Sequence, residues 1–177
     1  NQVKAIEVQI PFSDPIADGP VLVNANDVAV KNNATVKEAL QLCSSASQES
    51  AEIYVMSYIQ PILSFGISKF LDEATKCSVS VLIIPYLPFD AKDKKKILQK
   101  FPELRSKLVP VLSPAMNQRR LSELFDTLRP NLVYVTSRKG ITGEKIQSLS
   151  EELKELVNNV RKLTGAKIAI GFGVQTA

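Results

Sequence analysis

The sequence has 177 residues, of which 45% are hydrophobic and 23% charged, with a formal net charge of +4 and no histidine. This length suits a single domain with one hydrophobic core, and the composition excludes a wholly disordered, collagen-like or coiled-coil chain. Without histidine, Ser-His and Cys-His nucleophile systems and most zinc sites are excluded, so acid–base chemistry must use Asp, Glu, Tyr or Lys. No apolar run approaches the about 18 residues of a membrane-spanning helix, and the first residues lack the apolar core of a signal peptide.

Short apolar segments alternate along the chain with segments of helical periodicity. The apolar segments, rich in Val, Ile and Tyr, predict six strands: Val3–Ile10, Ile53–Tyr58, Val79–Ile84, Leu108–Leu112, Leu132–Thr136 and Ile168–Ile170. The periodic segments predict five helices: Val36–Cys43, Ile67–Ala74, Ile97–Phe101, Leu121–Leu128 and Leu149–Leu163. This alternation predicts an α/β fold with a parallel sheet and helical crossovers, either doubly wound or a (β/α)8 barrel. No glycine fingerprint of a nucleotide-binding doubly wound fold follows the first strand.

The cysteines and the densest basic segment point to an ordinary cytoplasmic protein. Cys43 and Cys77 lie far apart on predicted helices without a spacing motif, which is typical of reduced thiols rather than a disulfide framework. Lysines cluster between Lys92 and Lys96 without interleaved aromatic residues, which favours a solvated helix face over a nucleic-acid surface. We therefore expect a cytoplasmic protein that binds neither nucleic acid nor a membrane.

Carboxylates lie in and after the first predicted strand, where parallel α/β folds place their active groups. Glu7 interrupts the apolar strand, and burial there would raise its pKa into a range useful for proton transfer. The alternative is a structural carboxylate paired with a buried donor. Asp14 and Asp18 follow in a loop that three prolines stiffen. We expect Asp18, in this polar loop, to stay ionised.

Glycine-containing segments follow the last two predicted strands. They are Ser137–Gly143 and Gly171–Gly173. Backbone N–H groups at the ends of late barrel strands are a known phosphate-binding arrangement, so together the two segments favour a sugar-phosphate site. Taken singly, the first could be an ordinary turn and the second close packing of a strand on a helix. The sequence has neither a Walker motif nor a metal-binding cluster.

The segment PFSDPIADGP, preceded by Glu7, resembles the corresponding motif of the tryptophan synthase alpha subunits. Further matches follow in order: Asn24–Asn26, Met56–Pro61, Ile84–Pro88, Tyr134, Ser137–Gly143 and Gly171–Gly173. The resemblance implies a (β/α)8 TIM barrel. It also implies that residues 1–177 form one domain, the central part of that barrel, with about six βα units from the second to the seventh strand and both ends missing.

The resemblance implies a carbon–carbon lyase of tryptophan biosynthesis. Its members cleave indole-3-glycerol phosphate to indole and glyceraldehyde 3-phosphate without a metal or a cofactor of their own. They pass indole to a pyridoxal-phosphate-dependent β subunit within an α2β2 heterotetramer.

The resemblance also assigns roles to individual residues. Glu7 matches the catalytic acid–base glutamate, and Asp18 matches the aspartate that holds the indole N–H. Tyr134 matches a tyrosine that lines the site, and Thr142 matches the threonine of a mobile sixth loop, 138–143, that closes onto the aspartate. The matching phosphate-site or pocket positions are Gly143, Phe172 and Gly173.

The sequence departs from the family pattern at four positions. Gln9 replaces a glycine, Val28 an arginine, Gln60 an asparagine and Tyr86 an aspartate. These positions lie on the pocket floor and on the surface toward the β subunit rather than at the two acids. The changes keep open a regulatory alpha subunit that activates the β subunit without cleaving substrate. Another phosphate-binding barrel is the third alternative.

Overall fold

The computed structural model describes residues 3–47, 51–85, 97–136 and 151–171. Its strands are β1 Ala5–Gln9, β2 Glu52–Met56, β3 Val79–Ile83, β4 Leu108–Val109, β5 Val111–Leu112, β6 Leu132–Thr136 and β7 Lys167–Gly171. Its helices are α1 Pro20–Lys31, α2 Val36–Ala46, α3 Ile59–Phe65, α4 Ile67–Lys76, α5 Pro102–Lys107, α6 Gln118–Leu128 and α7 Glu151–Leu163. Residues 97–100 are also helical.

All strands pair in parallel, in the orders β1-β2-β3-β4 and β5-β6-β7. The short strands β4 and β5 are the two halves of one predicted strand, interrupted at Pro110. Proline has no N–H to contribute to a ladder, but the Pro110 carbonyl accepts a 2.9 Å hydrogen bond from the Tyr134 N–H. The predicted succession of six parallel strands is therefore confirmed.

Both faces of the sheet are covered by apolar side chains, and consecutive residues within a strand contribute to opposite faces. Val55 belongs to the large core between the strands and the helices, whereas Met56 belongs to a smaller inner cluster. The inner cluster has three buried members, Met56, Ile83 and Val109, with Tyr134 packed against them. Coverage on both sides explains why apolar residues predominate in the strands, although β1 also carries Glu7 and Gln9.

Among the described residues, three helices were not predicted from periodicity: α1, α3 and α5. In α1 the buried side chain is Asn26, while Val21 and Val28 are exposed, so no apolar stripe marks the helix. The others span seven and six residues, too short for a periodic pattern. The helices predicted near residues 36, 67, 121 and 149 are confirmed within the described ranges.

The two cysteines lie in the same core. Cys43 is fully buried on α2, and Cys77, the residue that follows α4, packs against that core. Both are free thiols, as predicted, although their distance in sequence did not suggest a common environment. Within the described ranges, no helix combines the length and apolarity needed to cross a bilayer.

Candidate active site

The candidate site lies where β1 and β2 end, at one edge of the parallel sheet. Gln9 and Met56, the last residues of the two strands, are in register. The chain then continues from β1 into the loop 10–19 and from β2 into Ser57 and Tyr58. Side chains that follow these two strands therefore share the carboxyl edge, where barrel enzymes place their reacting groups.

Glu7 lies in the middle of β1, on the face opposite Val8, which is buried in the core under the helices. Desolvation raises the pKa of its carboxyl above the usual 4.5, which confirms the predicted direction. The side chain is exposed, which corrects the expectation that it is buried in the strand. An exposed carboxylate that is still partly desolvated is typical of an open cleft, in which surrounding protein replaces part of the water around the acid.

Tyr134 lies on β6, and its phenol interacts electrostatically with the Glu7 carboxylate. Burial of the phenol and the negative charge of Glu7 raise the pKa of Tyr134 to about 12. The phenol is therefore a neutral O–H donor at neutral pH. The structure thus brings together these two side chains, 127 residues apart in sequence, as the resemblance implied.

Asp18 is only 4% exposed, so its carboxylate is buried although the loop that carries it is polar in sequence. Its Oδ2 accepts hydrogen bonds from Gln9 Nε2 at 2.8 Å and from Asn26 Nδ2 at 3.3 Å. Desolvation raises the pKa of Asp18 above 3.8, and the Gln9 and Asn26 amides and the Tyr58 phenol oppose this rise. The loop folds back onto Gln9 of β1, Asn26 of α1 and Tyr58, and the carboxylate is buried between them.

The second oxygen of Asp18 is buried without a hydrogen-bond partner among the described residues. Leaving a buried acceptor unsatisfied costs about 1–3 kcal/mol, and more when it is charged. Buried polar atoms without partners are rare in folded proteins and call for an explanation. A ligand that carries an N–H donor would supply the partner that Oδ1 lacks.

The loop is held in place by side chains from two other elements. Asn26 on α1 accepts a 3.0 Å hydrogen bond from the Phe12 N–H and donates to Leu22 O at 2.9 Å. The Tyr58 hydroxyl accepts from the Ala17 N–H at 2.8 Å. The rings of Phe12 and Tyr58 lie 5.2 Å apart. The loop is therefore fixed at both ends.

Sequence reasoning gave no role in the site to Gln9 or Asn26. Gln9 is one of the four departures from the family pattern, and Asn26 belongs to one of the matching segments. Each had a local indication of its role: Gln9 is a polar residue two positions after Glu7 in an apolar strand, and so on the same face. Asn26 is a buried polar residue in a helix without an apolar stripe.

Several predicted positions lie outside the described residues. They are Thr142, Gly143, Phe172 and Gly173, together with Tyr86, the lysines 92–96 and the loop 138–143. In the ranges that are described, no three Asp, Glu or Cys side chains group in a way that could hold a metal ion.

Comparison with known proteins gives a consistent result. The family model described as tryptophan synthase alpha chain matches residues 1–177. Tryptophan synthase of Saccharomyces cerevisiae is 37% identical over 177 residues, which cover 98% of this chain and 24% of the yeast protein. The tryptophan synthase alpha chain of Petrotoga mobilis is 35% identical over 175 residues, covering 98% of this chain and 66% of that protein. The chain thus spans a quarter to two thirds of the length of these relatives.

Solved structures of the same family resemble the described fold. The structure of Mycobacterium tuberculosis tryptophan synthase has a TM-score of 0.82 at 26% identity, covering 98% of this chain and 65% of that one. A mutant alpha subunit from Pyrococcus furiosus has a TM-score of 0.77 at 31% identity, and the match covers 96% of this chain and 67% of that one. These neighbours are TIM barrels, which decides between the two α/β architectures that the sequence left open.

Proposed function

Since the chain belongs to the tryptophan synthase alpha chain family, we propose that the full-length protein cleaves indole-3-glycerol phosphate to indole and glyceraldehyde 3-phosphate. The observation that supports this most directly is the buried Asp18 carboxylate, whose Oδ1 lacks a partner among the described residues. The indole ring offers a single N–H donor, which matches a single free acceptor. Glu7 lies on β1, the strand that leads into the loop of Asp18, and its pKa is raised, as a group that gives and takes a proton requires.

In the proposed reaction the bond between indole C3 and the adjacent glycerol carbon breaks. C3 receives a proton, and the hydroxyl on the departing carbon loses its proton to become the aldehyde, so atoms and charge balance. Glu7 is the group proposed to protonate C3, because its raised pKa keeps a fraction of the carboxyl protonated nearer to neutral pH. Asp18 is proposed to hold the indole N–H and to stabilise the positive charge that forms on the ring.

The remaining site residues are proposed from the family pattern. The neutral Tyr134 phenol lines the pocket beside Glu7. Thr142 is proposed to close onto Asp18, and the phosphate is proposed to bind near Gly143, Phe172 and Gly173. No cofactor or metal ion is assigned to this chain.

A tryptophan synthase β subunit, which would carry pyridoxal phosphate, is the proposed partner in an α2β2 assembly in the cytoplasm. The loop and α3 offer apolar surface for such a partner, since Ile16 is 61% exposed and Leu63 is 48% exposed. The hydrogen bond between Ala17 N and the Tyr58 hydroxyl brings the loop beside the start of α3. Gln60 is exposed at that start.

The function is tested by indole release from indole-3-glycerol phosphate, measured for the full-length protein with and without a β subunit. We expect wild-type protein to release indole, and Glu7→Gln and Asp18→Asn to lose about 10²–10⁴-fold in rate. Both variants should still bind the β subunit, which sedimentation measures. Wild-type-like indole release by Glu7→Gln would refute its role. If wild type releases no indole but still activates the β subunit, the regulatory function replaces the catalytic one.

A further inference from the structure

Gln9 connects the Asp18 carboxylate to the strand that carries Glu7. Its Nε2 donates a 2.8 Å hydrogen bond to Asp18 Oδ2. Glu7 and Gln9 are two positions apart in β1, so their side chains leave the same face of the strand about 6.6 Å apart. The bond therefore fixes a loop residue against a rigid element, at a set distance from the other acid.

The same carboxylate oxygen has a second donor, which is weaker. Asn26 Nδ2 lies 3.3 Å from Oδ2, beyond the usual N–H···O range, whereas the Gln9 bond is close to its optimum. Both amides act on Oδ2, and Oδ1 has no partner among the described residues. The two oxygens of Asp18 thus have different environments, one occupied by the protein and one left open.

We propose that Gln9 is a positioning residue for Asp18: its amide occupies Oδ2, so that Oδ1 stays directed at the indole N–H at a fixed separation from Glu7. The identity of the ligand in this inference rests on the proposed function. The hydrogen bond from Gln9 and the different environments of the two Asp18 oxygens do not depend on the proposed function.

The inference has a consequence for protonation that a merely structural role would lack. The groups that act on Asp18 are the Gln9 and Asn26 amides and the Tyr58 phenol, and each lowers its pKa. A donor to the ionised carboxylate favours the charged form. Removing the Gln9 amide therefore raises the pKa of Asp18, and the acid limb of the kcat/KM profile moves to higher pH.

The test compares Gln9→Met and Gln9→Glu with wild type in the full-length protein. Methionine is close to glutamine in size but has no donor, and glutamate replaces the donor with a second acid. We expect Gln9→Met to lower kcat/KM for indole-3-glycerol phosphate by about 10- to 100-fold, the effect of one hydrogen bond to a charged group. The acid limb should move upward in Gln9→Met and further in Gln9→Glu. Gln41→Met, at an exposed position of α2, is the matched control and should change neither quantity.

A second measurement separates this proposal from the proposed function. The pKa of Asp18 can be measured by carbon-13 NMR titration of its carboxyl, assigned against Asp18→Asn, without any turnover. If wild type makes no indole, the proposed function fails, and a higher Asp18 pKa in Gln9→Met still supports the role of Gln9. An unchanged Asp18 pKa in both Gln9 variants would overturn it, even with a loss of thermal stability. If Gln9→Met does not fold, Gln9→Glu decides by the same titration.

Discussion

The backbone of Gly171 lies against the phenol ring of Tyr134, on the neighbouring strand. A Cβ at Gly171 would overlap the Tyr134 hydroxyl and come within 2.7 Å of ring atom Cε1. Such an approach is closer than carbon atoms tolerate, so the absence of a side chain at residue 171 provides the space that the ring occupies. The charge of Glu7 raises the pKa of this phenol, so the ring belongs to the candidate site. Gly171 therefore helps to determine where the phenol lies in that site.

We expect Gly171→Ala to displace the Tyr134 ring and to destabilise the protein by about 1–3 kcal/mol, the usual cost of overpacking. Gly165→Ala is the matched control, because nothing lies within 4 Å of a Cβ built at that residue. Urea denaturation measures both. In Tyr134→Ala the ring is absent, so adding Gly171→Ala to that variant should cost less stability than Gly171→Ala costs in wild type. Equal stability of the two single glycine variants would contradict the contact.

Asn26 is expected to stabilise α1 and the loop together. Asn26→Ala removes the acceptor for the Phe12 N–H and one donor to Asp18, so we expect a loss of about 1–3 kcal/mol. Asn24→Ala, at an exposed position of the same helix, controls for helix propensity and should have a much smaller effect. Faster hydrogen exchange of the Phe12 amide in Asn26→Ala alone would locate the change. Equal hydrogen exchange of the Phe12 amide in Asn26→Ala and Asn24→Ala would argue against this role of Asn26.

The strands were predictable from the sequence because each is a short run in which apolar residues predominate. Leu132–Thr136 appears in the structure with the predicted bounds, since an apolar run without breaks has few alternatives. The helix α1 was not predictable from the sequence, because its buried residue is a hydrogen-bonded asparagine and not part of an apolar stripe. Burial of Asp18 was also missed. It depends on the contact between Ala17 and Tyr58, 41 residues apart, which no local pattern reveals.

The Tyr58 hydroxyl is expected to contribute both to stability and to the titration of Asp18. Tyr58→Phe keeps the ring contact with Phe12 but leaves the buried Ala17 N–H without its acceptor, which costs about 1–3 kcal/mol. It also removes a group that lowers the pKa of Asp18, so that pKa should rise. Tyr54→Phe is the control, since the Tyr54 hydroxyl donates at the surface, to Glu52. Denaturation and carboxyl NMR titration measure the two effects, and a Tyr58→Phe protein with unchanged Asp18 titration would refute the second.

Glu7 should make the stability of the protein depend on pH. Its pKa is raised above 4.5 in the folded state, so its contribution to stability is fully present below pH 4.5 and is lost as the pH rises through the folded-state pKa. Glutamine at this position cannot ionise and avoids that loss. The melting temperature of Glu7→Gln relative to wild type should therefore increase with pH above 4.5 and then level off. Glu155→Gln, at an exposed position of α7, is the control for the loss of one surface carboxylate. A melting-temperature difference between Glu7→Gln and wild type that is constant with pH, or that falls as pH rises, would show that desolvation does not dominate at Glu7.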